Sequence, residues 1–156
     1  MIRPARPEDA TAAALLVDAA YGKYVARLGR KPGPMLDDHA QRIAAGQAFV
    51  AQHDGAMAGW LVLIDVQGVE GPDHLLLDNI AVAPALAGTG IGRALMRFTE
   101  AEAARRGYAG MRLYTNALMT ENIAMYARAG WTETGRATVN GLNRVNFSKP
   151  VGGASG

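Results

Sequence analysis

The chain has 156 residues, of which 49% are hydrophobic and 19% charged, and its formal net charge is +2. This length and composition predict one globular domain, and so small a positive charge does not predict a nucleic-acid partner. The absence of cysteine excludes disulfides, thiol catalysis and cysteine-based zinc sites. No apolar run approaches the roughly 20 residues of a membrane helix, so no membrane partner is expected.

The first ten residues, MIRPARPEDA, lack the hydrophobic segment of a secretory signal, and we expect a cytoplasmic protein. A short strand is predicted at residues 2–3, and a helix is predicted from Pro7-Glu8-Asp9 to about residue 21. Its predicted apolar stripe is Ala12, Leu15, Leu16 and Ala19. Residues 22–34 are loop-like at their end, and a second helix is expected over about residues 36–45.

Two strand pairs are predicted from dipeptides that supply the positive φ angles of a type I′ turn. Asp54-Gly55 joins residues 47–53 to residues 56–66, and Asn140-Gly141 joins residues 131–139 to residues 142–148. Both pairs are therefore expected to be antiparallel hairpins.

Between the hairpins, residues 75–106 are predicted to form a strand, a glycine-bearing turn and an amphipathic helix that ends at Gly107. The helical positions that recur are Ala94, Leu95, Phe98, Ala101 and Arg105. A strand at residues 110–116 follows, and the strand–helix–strand order predicts a parallel pair. Thr120 is expected to cap a last helix over residues 121–129, which Gly130 closes.

The turn at Gly88, Gly90 and Gly92 has a specific physical use, because the first turn of a helix has unpaired N–H groups and attracts phosphate oxygens. Glycines before it let several N–H groups point at one anion. A P-loop is excluded because Arg93-Ala94 follows Gly92, and a dinucleotide fingerprint lacks its later acidic residue. The alternative is that these glycines serve packing only.

The turn resembles the acetyl-CoA-binding motif of the GNAT-type N-acetyltransferase superfamily, Arg/Gln-x-x-Gly-x-Gly/Ala. Gly90 and Gly92 match its glycines, whereas Ala87 stands where the family usually has Arg or Gln. The resemblance implies a mixed α/β fold: a mostly antiparallel sheet of six to seven strands with a central parallel pair, and helices on both faces. It also implies acetyl-CoA as cofactor. From the residues themselves we expect a single domain over residues 1–149, a flexible tail over residues 150–156, and no metal, because the three histidines lack metal-ligand spacing.

A second stretch, TNALMTENIAMYARAGW, is similar to the last motif of the same superfamily, with Tyr126, Gly130 and Trp131 at the matching positions. Met119 replaces the family's usual Asn, and Asn122 is the candidate to take over its polar contacts. The resemblance implies cofactor contacts from residues in the strand, the turn and the last motif: Ile80, Ala81, Val82, Ala87, Gly88, Thr89, Gly90, Ile91, Gly92, Arg93, Asn116, Asn122 and Tyr126.

Tyr126 is the candidate general acid for the leaving CoA thiolate, because a phenol is protonated at neutral pH. The alternative is a core aromatic on an amphipathic helix. Asp78, an acid within an apolar strand, is the candidate base; it could equally be the partner of an Arg or a backbone N–H. His74 is a second candidate base, although its place near the start of the strand suggests exposure.

The acceptor pocket is assigned to Tyr21, Tyr24, Arg27 and Asn79, although the tyrosines could pack the first helix and Arg27 could be solvated. We therefore expect acetyl transfer from acetyl-CoA to a primary amine by direct attack in a ternary complex. The acceptor would be a small molecule or a peptide, and the protein a monomer or homodimer. The alternative is an inactive CoA-binding sensor or interaction module.

Overall fold

The computed structural model describes residues 1–69 and 71–152, which form seven strands and six α-helices. The strands are β1 (Ile2–Pro4), β2 (Ala48–His53), β3 (Ala56–Val66), β4 (His74–Val82), β5 (Gly110–Asn116), β6 (Thr132–Val139) and β7 (Leu142–Pro150). The helices are α1 (Ala10–Tyr21), α2 (Lys23–Leu28), α3 (Gly33–Leu36), α4 (His39–Ala44), α5 (Ile91–Arg105) and α6 (Thr120–Arg128). Short 3-10 turns at Pro7–Asp9 and Pro84–Leu86 precede α1 and α5.

The strands form one sheet in the order β1-β2-β3-β4-β5-β7-β6. The recorded pairs β1–β2, β2–β3, β5–β7 and β6–β7 are antiparallel, and β4–β5 is parallel. The mixed, mostly antiparallel sheet with one parallel pair is thus confirmed, with seven strands.

Both predicted hairpins are confirmed by their turn geometry. Asp54 and Gly55 have φ angles of 52° and 78°, and Asn140 and Gly141 have φ angles of 52° and 77°. Two consecutive positive φ angles match the twist of the flanking strands, so each turn joins its strands directly.

The chain divides into two compact units. Unit 1 consists of Met1–Leu63 and Asn79–Phe98, and unit 2 consists of Ile64–Asp78 and the chain from Thr99 onward. The single domain over residues 1–149 stays a prediction. The strand β7 continues through Pro150, and residues 153–156 of the predicted tail lie outside the described residues.

In unit 1, helix α1 is present as predicted, but its predicted buried stripe is wrong at every position except Leu16. The buried residues of α1 are Ala13, Leu16, Val17 and Tyr21, whereas Leu15 is 67% exposed. The buried positions follow one helical face, which lies against α2, α3 and α4. Because this helix is rich in alanine on all sides, the sequence alone marks no face strongly.

The segment between α1 and β2 is more helical than predicted. Residues 23–28 form α2, which ends at Gly29 with a φ of 74°, and Gly33–Leu36 forms α3. Helix α4 begins at His39, three residues later than predicted, because Oδ1 of Asp38 accepts a hydrogen bond from the N–H of Gln41 at 3.1 Å. Asp38 is therefore the N-cap and stands outside the helix.

Helices α5 and α6 have nearly the predicted bounds but differ in detail. In α5 the buried residues include Leu95, Thr99 and Ala103, whereas Ala94, Ala101 and Arg105 of the predicted recurring set are exposed. Gly107, with a φ of 84°, follows the helix as predicted. Thr120 is the first residue of α6 and not its cap; Met119 occupies the N-cap position without a side-chain hydrogen bond.

The longest helix, α5, has 15 residues. Within residues 1–69 and 71–152, no helix has the length and apolar character needed to span a membrane. A spanning helix needs about 20 mostly apolar residues.

Near the start of unit 1, Arg3 and Asp9 form a bidentate ion pair. Nη1 of Arg3 donates to Oδ2 of Asp9 at 2.8 Å, and Nη2 donates to Oδ1 at 3.1 Å. The N–H of Arg6 also donates to Oδ2, at 2.7 Å. The hydrogen bonds from Arg3 lower the pKa of the Asp9 carboxyl, and they outweigh the opposing effect of burial, with the N–H of Arg6 adding to them.

A lowered pKa in the folded state makes this ion pair a pH-dependent contribution to stability. The contribution is present above the unfolded carboxyl pKa of about 3.9 and is lost as the pH falls through the folded value. We expect Asp9→Asn to lower the free energy of unfolding at pH 7, and its difference from the parent to shrink as the pH falls below about 3.9. Urea unfolding across this range measures the difference, and exposed Asp18→Asn is the matched control. A constant difference at all pH values would contradict the assignment.

Candidate functional site

The end of β4 in unit 1 is held by Tyr21 of α1. The Tyr21 hydroxyl donates a hydrogen bond to the carbonyl oxygen of Ile80 at 2.8 Å, and Tyr21 is only 5% exposed. Ile80 and Ala81 are buried, and Val82 is half-buried. Tyr21, predicted as an acceptor-binding residue, therefore positions the strand that leads into the glycine turn.

Asn79 is the polar residue at this strand end whose hydrogen bonding is incomplete. It is 3% exposed, its Oδ1 lies 3.4 Å from the Tyr21 hydroxyl, and its Nδ2 has no hydrogen-bond partner among the described residues. A buried donor without an acceptor costs about 1–3 kcal/mol. Asn79 can therefore donate to a bound molecule, and its place in the acceptor site stays a prediction.

The other two residues predicted for the acceptor pocket lie in α2. Tyr24 is 1% exposed, and its ring is tilted against that of Tyr21 with centroids 6.1 Å apart. Arg27 is exposed, with its guanidinium carbon 5.1 Å from the centroid of the Tyr24 ring. Tyr24 thus contributes packing in unit 1, and Arg27 lies over its ring.

The turn between β4 and α5 is stabilised by its own backbone. The N–H groups of Ala87 and Thr89 donate to the carbonyl oxygens of Pro84 and Leu86, each at 3.2 Å. The Thr89 hydroxyl also donates to Leu86, at 2.6 Å. These donors of the predicted phosphate seat are already used within the turn.

The first turn of α5 supplies the remaining donors of the seat. The N–H of Ala94 donates to the carbonyl oxygen of Gly90 at 3.0 Å, which is the first hydrogen bond of the helix. The N–H groups of Ile91, Gly92 and Arg93 precede that bond and have no acceptor inside the helix. Together with the partial positive charge of the helix start, they form a place for an anion.

The glycines of the turn leave this helix start open. Gly88 and Gly90 have φ angles of 81° and 96°, which side chains other than glycine rarely adopt. A Cβ added at either position would have no protein atom within 4 Å, and one added at Gly92 would meet only Cγ2 of Val82, at 3.7 Å. The space above the backbone is therefore accessible to a ligand, as phosphate binding by N–H groups requires.

In unit 2, Tyr126 lies on α6 within an aromatic cluster. It is 4% exposed, and its ring centroid is 6.5 Å from that of Trp131 and 5.8 Å from that of Phe147. The N–H of Trp131 donates to the carbonyl oxygen of Tyr126 at 3.0 Å, which ends the helix. The cluster fixes the position of the Tyr126 ring. Such packing is compatible with both alternatives for Tyr126, a core aromatic and a rigidly held acid.

The two candidate bases both lie on β4 in unit 2. Asp78 is half-buried, whereas His74 is 7% exposed and its Nδ1 lies 3.0 Å from the carbonyl oxygen of Pro72. The expectation that His74 is exposed is therefore wrong, because the strand starts at this residue and buries its side chain. Strand β4 pairs with β5 at Leu75 and Leu76, with Asp78 two residues further along.

The two asparagines predicted as cofactor contacts lie at the end of β5 and on α6. Oδ1 of Asn116 accepts from the N–H of Leu118 at 2.9 Å, and its carbonyl oxygen accepts from the N–H of Met119 at 2.9 Å. Asn116 thus stabilises the turn between β5 and α6. Asn122 is half-buried on α6, and Met119, at the family's usual Asn position, is buried.

A cleft of about 460 Å³ in unit 2 was not anticipated from the sequence. Its polar lining comes mainly from β5 and β7, and includes Arg112, Tyr114, Arg144 and Asn146. The only signal in the sequence is the alternation of these residues with buried apolar ones along the two strands. Alternation does not reveal that these side chains border a cleft.

The predicted site residues thus fall into two groups. Unit 1 contains the acceptor candidates and the glycine turn with the start of α5, whereas unit 2 contains Asp78, Asn116, Asn122 and Tyr126. Within the described ranges, no group of three or more His, Cys, Asp or Glu is arranged to hold a metal ion.

Comparison with known proteins finds many similar chains, among them three acetyltransferases. A mycothiol acetyltransferase from Nocardia farcinica (strain IFM 10152) is 37% identical over 86 residues, which are 55% of this chain and 26% of that protein. The crystal structure of nourseothricin acetyltransferase is 30% identical with a TM-score of 0.60, covering 67% of this chain and 64% of that one. A PaiA N-acetyltransferase from Thermoplasma acidophilum, solved in complex with coenzyme A, is 16% identical with a TM-score of 0.76, covering 96% and 98%.

The chain spans about a quarter of the length of the mycothiol acetyltransferase, and the likeness to the Thermoplasma enzyme concerns the fold alone. The model of the acetyltransferase (GNAT) family, in contrast, matches residues 14–131, which is more than half of the chain. This match includes the glycine turn, α5, Tyr126 and Trp131. It confirms the resemblance: the chain belongs to the acetyltransferase (GNAT) family.

Proposed function

We propose that this chain is an N-acetyltransferase that uses acetyl-CoA and acetylates a primary amine by direct attack in a ternary complex. The observation that carries the proposal is the open start of α5 in a chain of this family. The helix begins at Ile91, directly after a turn in which Gly88 and Gly90 have positive φ angles. Such a helix start binds the phosphates of a nucleotide cofactor.

The residues fit acetyl-CoA through backbone donors. The N–H groups of Ile91, Gly92 and Arg93 would hold the pyrophosphate, and the exposed side chain of Arg93 adds a positive charge beside them. The buried strand end at Ile80 and Ala81, fixed by Tyr21, would support the rest of the cofactor. When bound, acetyl-CoA supplies an activated acetyl group and a thiolate leaving group.

Tyr126 is proposed to provide the proton that the leaving thiolate takes up. A phenol keeps its proton at neutral pH and donates it readily to a developing anion. Its ring is held by Trp131 and Phe147, so the hydroxyl needs little reorganisation to act. Asn122, one helical turn before Tyr126, is proposed as a polar contact to the cofactor.

Asp78 is proposed as the base that removes a proton from the ammonium form of the acceptor, directly or through water. An amine attacks only when its lone pair is available, and most primary amines are protonated at neutral pH. A half-buried carboxylate on an otherwise apolar strand suits this role. The unpaired Nδ2 of Asn79, on the next residue, is proposed to orient the acceptor.

The test is release of CoA with a panel of primary amines, combined with calorimetric titration of acetyl-CoA. We expect acetyl-CoA to bind and at least one amine to give turnover above the rate of hydrolysis. Binding without turnover on any amine would favour the alternative, a CoA-binding sensor or interaction module. That alternative is supported by Ala87 and Met119, which stand where the family usually has Arg or Gln and Asn. No binding of acetyl-CoA would contradict both.

Restoring the family's arginine at position 87 should tighten cofactor binding. Ala87 is exposed, with φ of −60° and ψ of 136°, a conformation that arginine adopts without strain. We expect Ala87→Arg to strengthen the binding free energy of acetyl-CoA by about 0.5–2 kcal/mol and so to lower its Kd. This is the value of an added charge-assisted hydrogen bond. Calorimetry measures the change, and Ala85→Arg, exposed in the same turn, controls for added charge. Equal affinities in both variants would contradict a phosphate contact at position 87.

A further inference from the structure

The cleft of unit 2 is lined mainly by residues of β4, β5 and β7. The register places Leu76, Arg112 and Ser148 side by side on these three strands. Phe147, whose ring meets Tyr126 of α6, also borders the cleft. The volume of about 460 Å³ suits a small organic molecule.

The charge of the cleft is positive. Arg112 and Arg144 line it, and none of the described lining residues carries a carboxylate. Two acids of unit 2 have partners outside the cleft: Asp65 accepts from Arg106 and Tyr108, and Glu133 pairs with Arg136. A cleft of this composition is electrostatically complementary to an anion.

Arg144 is the residue best placed to bind that anion. Its guanidinium carbon lies 3.9 Å from the centroid of the Tyr114 ring, and it forms no ion pair with a carboxylate within residues 1–69 and 71–152. Stacking on the ring holds the guanidinium plane, while its N–H groups remain at the plane's edge for a bidentate acceptor. Asn146, opposite Tyr114 in the register, adds a neutral polar group.

The candidate base Asp78 follows a cleft-lining residue on β4. Leu76 lines the cleft, and Asp78, two residues along the same strand, lies on the same face. The parallel pairing of β4 with β5 is recorded at Leu75 and Leu76, before Asp78 is reached. An acceptor whose amine nitrogen lies at Asp78 would therefore place its carbon skeleton in the cleft.

We propose that the acceptor is a primary amine that also carries a carboxylate, that it binds in this cleft, and that Arg144 holds its carboxylate. The inference rests on the proposed N-acetyltransferase function and specifies its substrate class. Leu76 and Val66 contact the apolar part of the acceptor, and Arg112 adds to the positive field. Asp78 then receives a proton from the ammonium end.

The test compares amines that differ only in a carboxylate: phenylalanine against phenethylamine, and 5-aminopentanoate against butylamine. We expect kcat/KM to be about 10- to 100-fold higher for the carboxylate member of at least one pair, the range of one charged hydrogen bond. Arg144→Gln should abolish that preference, so that the ratio of kcat/KM between the two members of a pair falls to about one. Arg144→Lys should restore part of it. Arg136→Gln, which removes an exposed arginine outside the cleft, is the matched control.

The outcomes separate this inference from the proposed function. Turnover with no preference for a carboxylate in either pair, or a preference unchanged in Arg144→Gln, overturns the inference and leaves the N-acetyltransferase intact. If no amine is acetylated, the same amines are titrated into the wild-type chain and their binding is followed by NMR. Chemical-shift changes at Tyr114 and Arg144 that depend on the carboxylate support binding in the cleft, and their absence overturns the inference. The wild-type preference is informative even if a variant does not fold.

Discussion

Replacing the hydroxyl of Tyr126 is expected to lower kcat by about 10² to 10⁴ in Tyr126→Phe, the range found for a general acid. Affinity for acetyl-CoA should barely change, because the ring remains against Trp131 and Phe147. If Tyr126 is only a core aromatic, kcat should be unchanged and stability should fall by about 1 kcal/mol, the value of one hydrogen bond. Steady-state kinetics, calorimetry and urea unfolding distinguish the two.

Tyr108→Phe is a matched control for the lost hydroxyl, because Tyr108 donates to Asp65 at 2.8 Å and is not among the proposed site residues. The pH profile adds a second check on Tyr126. The acidic-side limb of kcat/KM should vanish in Asp78→Asn, and the basic-side limb should persist until Tyr126 is replaced. Full activity of Tyr126→Phe would contradict the role of Tyr126 as general acid, whereas the fold and the family would be unaffected.

Blocking the start of α5 should have the second large effect. In Gly92→Val, the branched side chain would stand in the space that the pyrophosphate is proposed to occupy. We expect acetyl-CoA to bind about 10- to 1000-fold more weakly, which corresponds to losing one or two charged hydrogen bonds. The fold should persist, because an added Cβ at Gly92 meets only Val82 at an ordinary 3.7 Å. Valine also has a higher helix propensity than glycine.

Calorimetric titration of acetyl-CoA measures the effect of Gly92→Val, and the exposed Ala104→Val on the same helix is the control. Gly90→Val should also weaken binding, but its φ of 96° strains any branched residue. Its loss of affinity must therefore be compared with its loss of stability. Unchanged affinity in Gly92→Val would remove the cofactor seat from this turn.

Features governed by local backbone chemistry could be predicted from the sequence alone. Asp54-Gly55 and Asn140-Gly141 specify positive φ angles wherever they occur, and both hairpins are present as predicted. The parallel pair β4–β5 follows from chain order, because a strand–helix–strand unit permits little else. The glycine turn and the start of α5 were also predicted, because the glycines and the helical pattern are adjacent in the chain.

The buried faces of the helices could not be predicted as well. Helices α1 and α5 contain alanine on several sides, so burial is decided by the surfaces that each helix meets and not by its own pattern. Leu15, which the pattern assigned to the core, is 67% exposed for this reason. Asp38 similarly begins α4 later than the apolar pattern suggested, because its carboxylate caps the helix.

The sequence by itself determined the family, the two hairpins, the position of the glycine turn before α5 and the helix that carries Tyr126, since each depends on residues close together in the chain. Only the tertiary structure showed that Tyr21 holds the end of β4, that His74 is buried and that Arg144 lies over Tyr114 in a positive cleft. These features join residues that are distant in sequence. Their geometry is set by sheet register and helix packing, which no local pattern encodes.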